Sequence, residues 1–180
     1  MITFYQHIYP VFDYRKRAES QRERIDRAFR GIDRVYAIVS SQCASENGTL
    51  QRLSRDAESG AAQYYVYLHL KGLTHPGDKN VDDWRELLEY FTIDCWERMV
   101  DYLARGADAV GVNLEPEPFL HFAGNFFWIK GSAVKRLEPI APGSNTEAWI
   151  GTAPRQLVLE SVHNSGVNHY HERYQPERYR

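Results

Sequence analysis

Sulfur is scarce in this chain of 180 residues: Cys43 and Cys95 are its only cysteines, and their spacing fits neither a metal-ligand nor a redox motif. A disulfide-stapled scaffold is therefore excluded as a class. No apolar run approaches the ~18 residues that a membrane span needs. The opening MITFYQHIYPVF also lacks the basic start and long apolar block of a secretory signal. The expected location is cytoplasmic, with no transmembrane segment. Neither sign of charge dominates, since 22 Lys and Arg face 24 Asp and Glu for a net charge of -2. No global field draws the protein to nucleic acid or anionic membrane, so any polyanion site must be local. The sequence holds no GxxxxGK loop, no GxGxxG fingerprint and no GxSxG elbow, which removes the common nucleotide-hydrolase, dehydrogenase and serine-hydrolase readings.

What the chain has is aromatic mass, with 12 Tyr, 8 Phe and 4 Trp. Such a load suits stacking on rings or sugars, and equally a dense core. The length fits one domain over residues 1–180, with residues 163–180 as a polar tail. ITFYQHIYPVF reads as an opening strand closed by Pro10 and Asp13. Tyr14, Ala18, Ile25 and Phe29 give helical spacing up to Gly31, and RVYAIVS reads as a buried strand. Ser41 to Gly60 reads as a polar surface excursion and QYYVYLHLKG as the next strand. A long helix is expected from Asp83 to Arg105. Its apolar positions Trp84, Leu87, Leu88, Phe91, Cys95, Met99 and Leu103 recur at helical intervals, and Asp83 with Glu86 resembles a capping box. DAVGVNL, NFFWIKG and RQLVLESV read as further strands, with short helices near Ser132–Leu137 and Asn145–Ile150. Alternating strands and helices define an α/β class with a mostly parallel sheet and helices on both faces.

In open α/β sheets ligands bind outside the carboxyl ends of strands, which makes three places candidates. The strand ending His69-Leu70-Lys71-Gly72 puts an imidazole and an ammonium on one side at period two, with Gly72 permitting a sharp turn. Together they form a candidate phosphate pocket, or else a solvated Lys beside a satisfied His. Glu115 and Glu117 in EPEP lie roughly 6–7 Å apart along an extended segment, within reach of the roughly 6.5–9.5 Å of an inverting glycosidase pair. They are equally compatible with a solvated turn. The tail collects His163, Asn164, Ser165, Gly166, Asn168, His169 and His171, which could bind a ligand or metal or simply pack over the sheet. HFAGNFFWIKG, from His121 to Gly131, is apolar at nearly every step yet carries His121, Asn125 and Lys130. It is either a buried central strand or the wall of a pocket.

YYVYLHLKG, VDDWRELLEYF, AVGVNLEPEPFLHFAGNFFWIKGSAVKRL, EAWIG and VHNSGVNHY resemble, in that order, a family of small bacterial and viral glycosyltransferases. The resemblance covers about Tyr64 to Tyr170, and its most specific parts are HFxGNFxW and HNSGVNHY. It implies a single Rossmann-like GT-A domain that transfers a sugar from a nucleoside diphosphate sugar to a saccharide acceptor in the synthesis of surface polysaccharide, lipopolysaccharide or capsule. On this resemblance Glu147 is the candidate base and Lys71 neutralises the leaving group. His69, Lys71, Gly72, His163 and Asn164 hold the donor diphosphate, and His121, Gly124, Asn125 and Trp128 the acceptor. Many GT-A enzymes hold a divalent metal, Mn or Mg, on a DxD pair, but here that position reads His69-Leu70-Lys71, with His163 a possible substitute ligand. Two further readings stay open: a nucleotide- or glycan-binding module without catalysis, and a glycoside hydrolase using Glu115 and Glu117.

Overall fold

The computed structural model describes residues 2–8, 15–32, 36–42, 45–153 and 155–180. Within them β1 (Ile2–Ile8), α1 (Arg15–Ala28), β2 (Tyr36–Gln42), α2 (Glu46–Glu58) and β3 (Tyr64–His69) form the first half. There follow α3 (Lys79–Glu89), a π-helical turn (Tyr90–Asp94), α4 (Trp96–Ala104) and β4 (Ala109–Val112). The small hairpin β5 (Leu114–Glu115) and β6 (His121–Phe122) leads to β7 (Phe127–Lys130), α5 (Gly131–Val134), a 3-10 turn (Glu147–Gly151) and β8 (Leu159–His163). The expected strand end at Pro10 and Asp13, the helical position Tyr14, the start of RVYAIVS at Arg34 and Val35, and Cys43 lie outside the described residues. Cys95 is a free thiol. Among the described residues no helix is long and apolar enough to cross a membrane.

The main sheet has the order β2-β1-β3-β7-β4-β8. β1 runs parallel to β2 and β3, and β4 parallel to β8, but β7 is antiparallel to both of its neighbours, β3 and β4. The sheet is thus mixed, not mostly parallel as the alternation of elements suggested. The reason lies in residues 113–126, which hold the β5–β6 hairpin instead of a helix. Without a crossover the chain returns beside β4 in the opposite direction.

Side chains alternate across the sheet and build a core on each face. Val66, Leu68, Val110, Val112 and Trp128 pack with Ile25 of α1 and Phe29 just after it, Leu87 and Leu88 of α3 and Met99 and Leu103 of α4. Tyr65, Tyr67, Ala109, Phe127 and Ile129 pack with Leu50, Leu53 and Ala57 of α2 and Ala133 and Val134 of α5. Helix α2 occupies the stretch expected to be a surface excursion. Leu50, Leu53 and Ala57 recur at helical spacing there, masked in the sequence by the flanking Asn, Gly, Ser and charged residues.

The expected Asp83–Arg105 helix is present but starts earlier and is interrupted. Asp78 is its N-cap, accepting from the amides of Asn80 at 2.9 Å and Val81 at 3.4 Å. Asp83 lies inside the helix and pairs with Arg173 of the tail at 2.7 Å. At the π turn Cys95 N–H reaches back to the Tyr90 carbonyl, five residues before it. The Thr92 carbonyl accepts from the indole Nε1 of Trp128 at 2.8 Å. Trp128 is fully buried in mid-sheet and does not border the cavity described below, so the acceptor-side position expected for it goes to the core instead. Replacing Trp128 with Phe removes one buried hydrogen bond and leaves a void. Urea denaturation is expected to show a loss of about 2–4 kcal/mol with the far-ultraviolet dichroism unchanged.

Candidate functional site

At the end of β3 the extended backbone breaks. Lys71 N–H bonds to the His69 carbonyl at 3.0 Å, and Gly72 follows at φ +84°, where a Cβ would stand 2.9 Å from Val81 Cγ1. The period-two relation between His69 and Lys71 is lost at this turn. His69 Nε2 approaches the Gly124 carbonyl at 2.9 Å, whereas Lys71 Nζ sits 3.7 Å from the centroid of Trp84 on α3. Trp84 also stacks on His169 of the tail with centroids 5.1 Å apart and planes at 7°, and meets Tyr170 edge-on at 5.2 Å. The indole therefore gathers the end of β3, the start of α3 and the tail into one corner.

Beside this corner lies a cavity of about 550 Å³, lined by Trp84, His121, Gly124, Glu147, His169 and Tyr170 among others. That volume is typical of a small-molecule site. Lys71, His69, Gly72 and Tyr170 border a second, smaller cavity of about 110 Å³, so Tyr170 forms a wall common to both. Gly124 cannot be larger: at φ +90° a Cβ would lie 2.6 Å from Leu88 Cδ1 and 3.2 Å from Trp84 Cζ2.

Among the described residues no carboxylate forms an ion pair with Lys71, and burial lowers its ammonium from the usual lysine range while Glu147 and Glu46 pull it back up. Trp84 Nε1 and His169 Nδ1 are buried without a hydrogen-bond partner among the described residues. The His169 tautomer follows from its neighbours. Asn113 Oδ1 accepts from Ser165 N–H at 2.7 Å, which turns its Nδ2 toward His169 Nε2 at 3.0 Å. Nε2 must therefore be the acceptor, and the proton of the neutral ring is on Nδ1. Burial, with the Lys71 cation adding to it, pushes His169 down to about 4. His69 is lowered by burial in the same way. Glu147 and Glu115 supply the negative side of the lining.

Of the remaining candidates, several are engaged elsewhere. His163 stacks on Phe91 at 4.9 Å, meets Tyr174 Oη at 3.0 Å through Nε2, and does not line the cavity. The tail histidine brought beside Lys71 is His169. Asn164 braces the chain at β5, accepting from Leu114 N–H at 3.2 Å and Ser161 Oγ at 2.8 Å. Asn125, buried at φ +58°, donates to Glu46 Oε2 at 2.9 Å, so its amide orients a carboxylate. Tyr67 Oη and Thr146 Oγ1 donate to the same Glu46 at 2.8 and 3.2 Å. Glu115 borders the cavity while Glu117 does not, so the EPEP carboxylates fail to converge on one space. Among the described residues no three His, Cys, Asp or Glu side chains come together as a metal site. The groups missed in the sequence are Trp84, read only as a core position of a helix, and Glu46, which lies in the unrecognised α2.

A family model described as a domain of unknown function (DUF8361) matches residues 13–175. No curated protein matches the chain.

The low value of His169 carries a stability consequence. Below the ordinary imidazole value of ~6.5 the unfolded chain takes up a proton that the folded chain refuses, so stability present at neutral pH is lost as pH falls toward about 4. Allowing for solvent screening, the loss from this ring is on the order of 1–2 kcal/mol. Urea midpoints measured at pH 7.5 and pH 4.5 are expected to separate less in His169→Gln than in the unmodified protein. An equal separation contradicts the assignment.

Proposed function

The chain belongs to the DUF8361 family, and we propose that it is a glycosyltransferase moving a sugar from a nucleoside diphosphate sugar to a saccharide hydroxyl. The observation that carries this reading is Lys71, a partly buried ammonium with no ion-pair partner among the described residues, held on Trp84 at the smaller cavity beside the larger one. A buried charge without a partner is costly, and an anionic ligand would offset that cost. A diphosphate leaving group presents acceptor oxygens for donors of this kind.

The reaction needs opposite charges at opposite ends. As the hydroxyl oxygen attacks the anomeric carbon, the bond from that carbon to the diphosphate oxygen breaks and its electron pair leaves with the diphosphate. Positive charge at Lys71 stabilises the departing group more strongly in the transition state than in the bound donor. The hydroxyl proton has to leave to a basic group, and Glu147 and Glu115 line the cavity. The GT-A assignment of the fold is part of the same proposal and rests on the resemblance of HFxGNFxW and HNSGVNHY; the mixed α/β sheet is compatible with it. Among the described residues, those at the DxD position and His163 do not form a metal-ligand set.

Lys71→Met keeps the stem and removes the charge. Calorimetric titration with UDP and with GDP is expected to show at least about tenfold weaker binding of the cognate nucleotide, the equivalent of roughly 1.5–3 kcal/mol for a charge-assisted hydrogen bond. Unchanged affinity overturns the leaving-group assignment. Glu147→Gln should keep nucleotide affinity and lower turnover about tenfold or more, and full turnover in that variant removes Glu147 from the mechanism. A protein that binds nucleotide but turns over no donor is a binding module.

A further inference from the structure

We infer that His121 is the general base that takes the proton of the acceptor hydroxyl, an assignment that rests on the transferase reading of the cavity. His121 lies on β6, directly opposite Glu115 of β5 in the antiparallel register. Its Nδ1 is 2.8 Å from the Phe119 carbonyl oxygen, and its ring packs against the Phe119 ring with centroids 4.9 Å apart. A carbonyl only accepts, so Nδ1 carries the proton and the lone pair of the neutral ring is on Nε2. Among the described residues nothing hydrogen-bonds to Nε2, and the ring lines the cavity of about 550 Å³. Nε2 is also absent from the polar atoms sealed away from solvent, so the side chain's residual exposure of 8 % is directed to this space.

The other imidazoles of the region cannot play this part. His69 has its Nε2–H on the Gly124 carbonyl and its Nδ1 sealed in the protein. The Nε2 lone pair of His169 is occupied by Asn113 and Ser165, and Nε2 of His163 faces Tyr174. His121 alone among these four presents a lone pair to the cavity on a ring held by a backbone acceptor. Glu115 faces it across the hairpin, and the 3-10 turn bearing Glu147 packs on β6. An imidazole is a stronger base than a carboxylate. In the balanced step the acceptor O–H proton moves to His121 Nε2, the new bond from oxygen to the anomeric carbon forms, and the diphosphate departs with its electron pair toward Lys71. Glu147 and Glu115 line the same cavity as His121.

The test uses His121→Asn, whose amide can still donate to the Phe119 carbonyl but lacks a base at the Nε2 position. Release of UDP or GDP from UDP-glucose, UDP-galactose and GDP-mannose is followed with methyl glycosides as acceptors, and nucleotide affinity is measured by calorimetry. Turnover is expected to fall by ~10²–10⁴-fold, with nucleotide affinity within about twofold of the unmodified protein. Undiminished turnover in His121→Asn overturns the base assignment and leaves the transferase reading standing. If the unmodified protein turns over none of the donors, the transferase reading falls and the base role falls with it. Diethyl pyrocarbonate labelling mapped by mass spectrometry tests the free lone pair without any turnover. His121 should be modified while the comparably buried His69 and His169 are spared, and the reverse pattern overturns the geometry on which the base assignment stands.

Discussion

Everything in the candidate site converges on the indole of Trp84. It carries the Lys71 ammonium at 3.7 Å, stacks on His169 at 5.1 Å, and together with Leu88 crowds residue 124, where φ +90° and the lack of space call for glycine. Because it projects from the first turns of α3, its position depends on where that helix begins, and Asp78 sets that point by capping the amides of Asn80 and Val81. A lysine at the end of a strand would ordinarily extend into water. Here the turn at Lys71 and Gly72 folds it back onto an aromatic face, where cation–π attraction takes the place of an ion pair.

The cavity that results is polarised by hydrogen-bond logic more than by net charge. The His69 ring is turned to the Gly124 carbonyl, His121 to the Phe119 carbonyl and His169 to Asn113, whose own amide is oriented by Ser165 N–H. Each tautomer is fixed by a group that can only donate or only accept at that point. The Lys71 ammonium rests on Trp84, while the lining of the cavity carries the His121 lone pair and the carboxylates of Glu115 and Glu147, the latter also acting on Lys71. Reactions that expel an anion and release a proton need both a cation and a base.

Much of the fold was legible because it obeys simple periodicity. The amphipathic run from Trp84 to Leu103, the strand YYVYLH and the apolar FFWIK all announce themselves, and the last proves to be a central strand buried on both faces. The adjoining His121–Asn125 segment borders the cavity or holds Glu46, so the two readings of HFAGNFFWIKG apply to different halves of it. The antiparallel direction of β7 was hidden, since strand direction depends on whether a crossover intervenes and not on the strand's own residues. Helix α2 was hidden behind polar residues at its start, and the π turn behind an apolar spacing that continues through it. At the site, Lys71 was legible as a strand-end residue and His121 and Gly124 lay in a segment read as a strand or a pocket wall, whereas Glu147 was singled out only through the resemblance. His163 and His169 occur in the same short motif with nothing local to separate them; their roles divide only through long-range partners, Phe91 and Tyr174 for one, Trp84 and Asn113 for the other.

The central claim is that the corner made by Lys71, Trp84 and His169 receives an anionic diphosphate. A crystal structure of the protein soaked with the nucleoside diphosphate that raises its melting temperature most would test this directly. The account predicts diphosphate oxygens within hydrogen-bond distance of Lys71 Nζ, with the space beside His121 left open. A diphosphate bound elsewhere on the protein, with the Lys71 ammonium still resting on Trp84 and no ligand against it, would contradict the account.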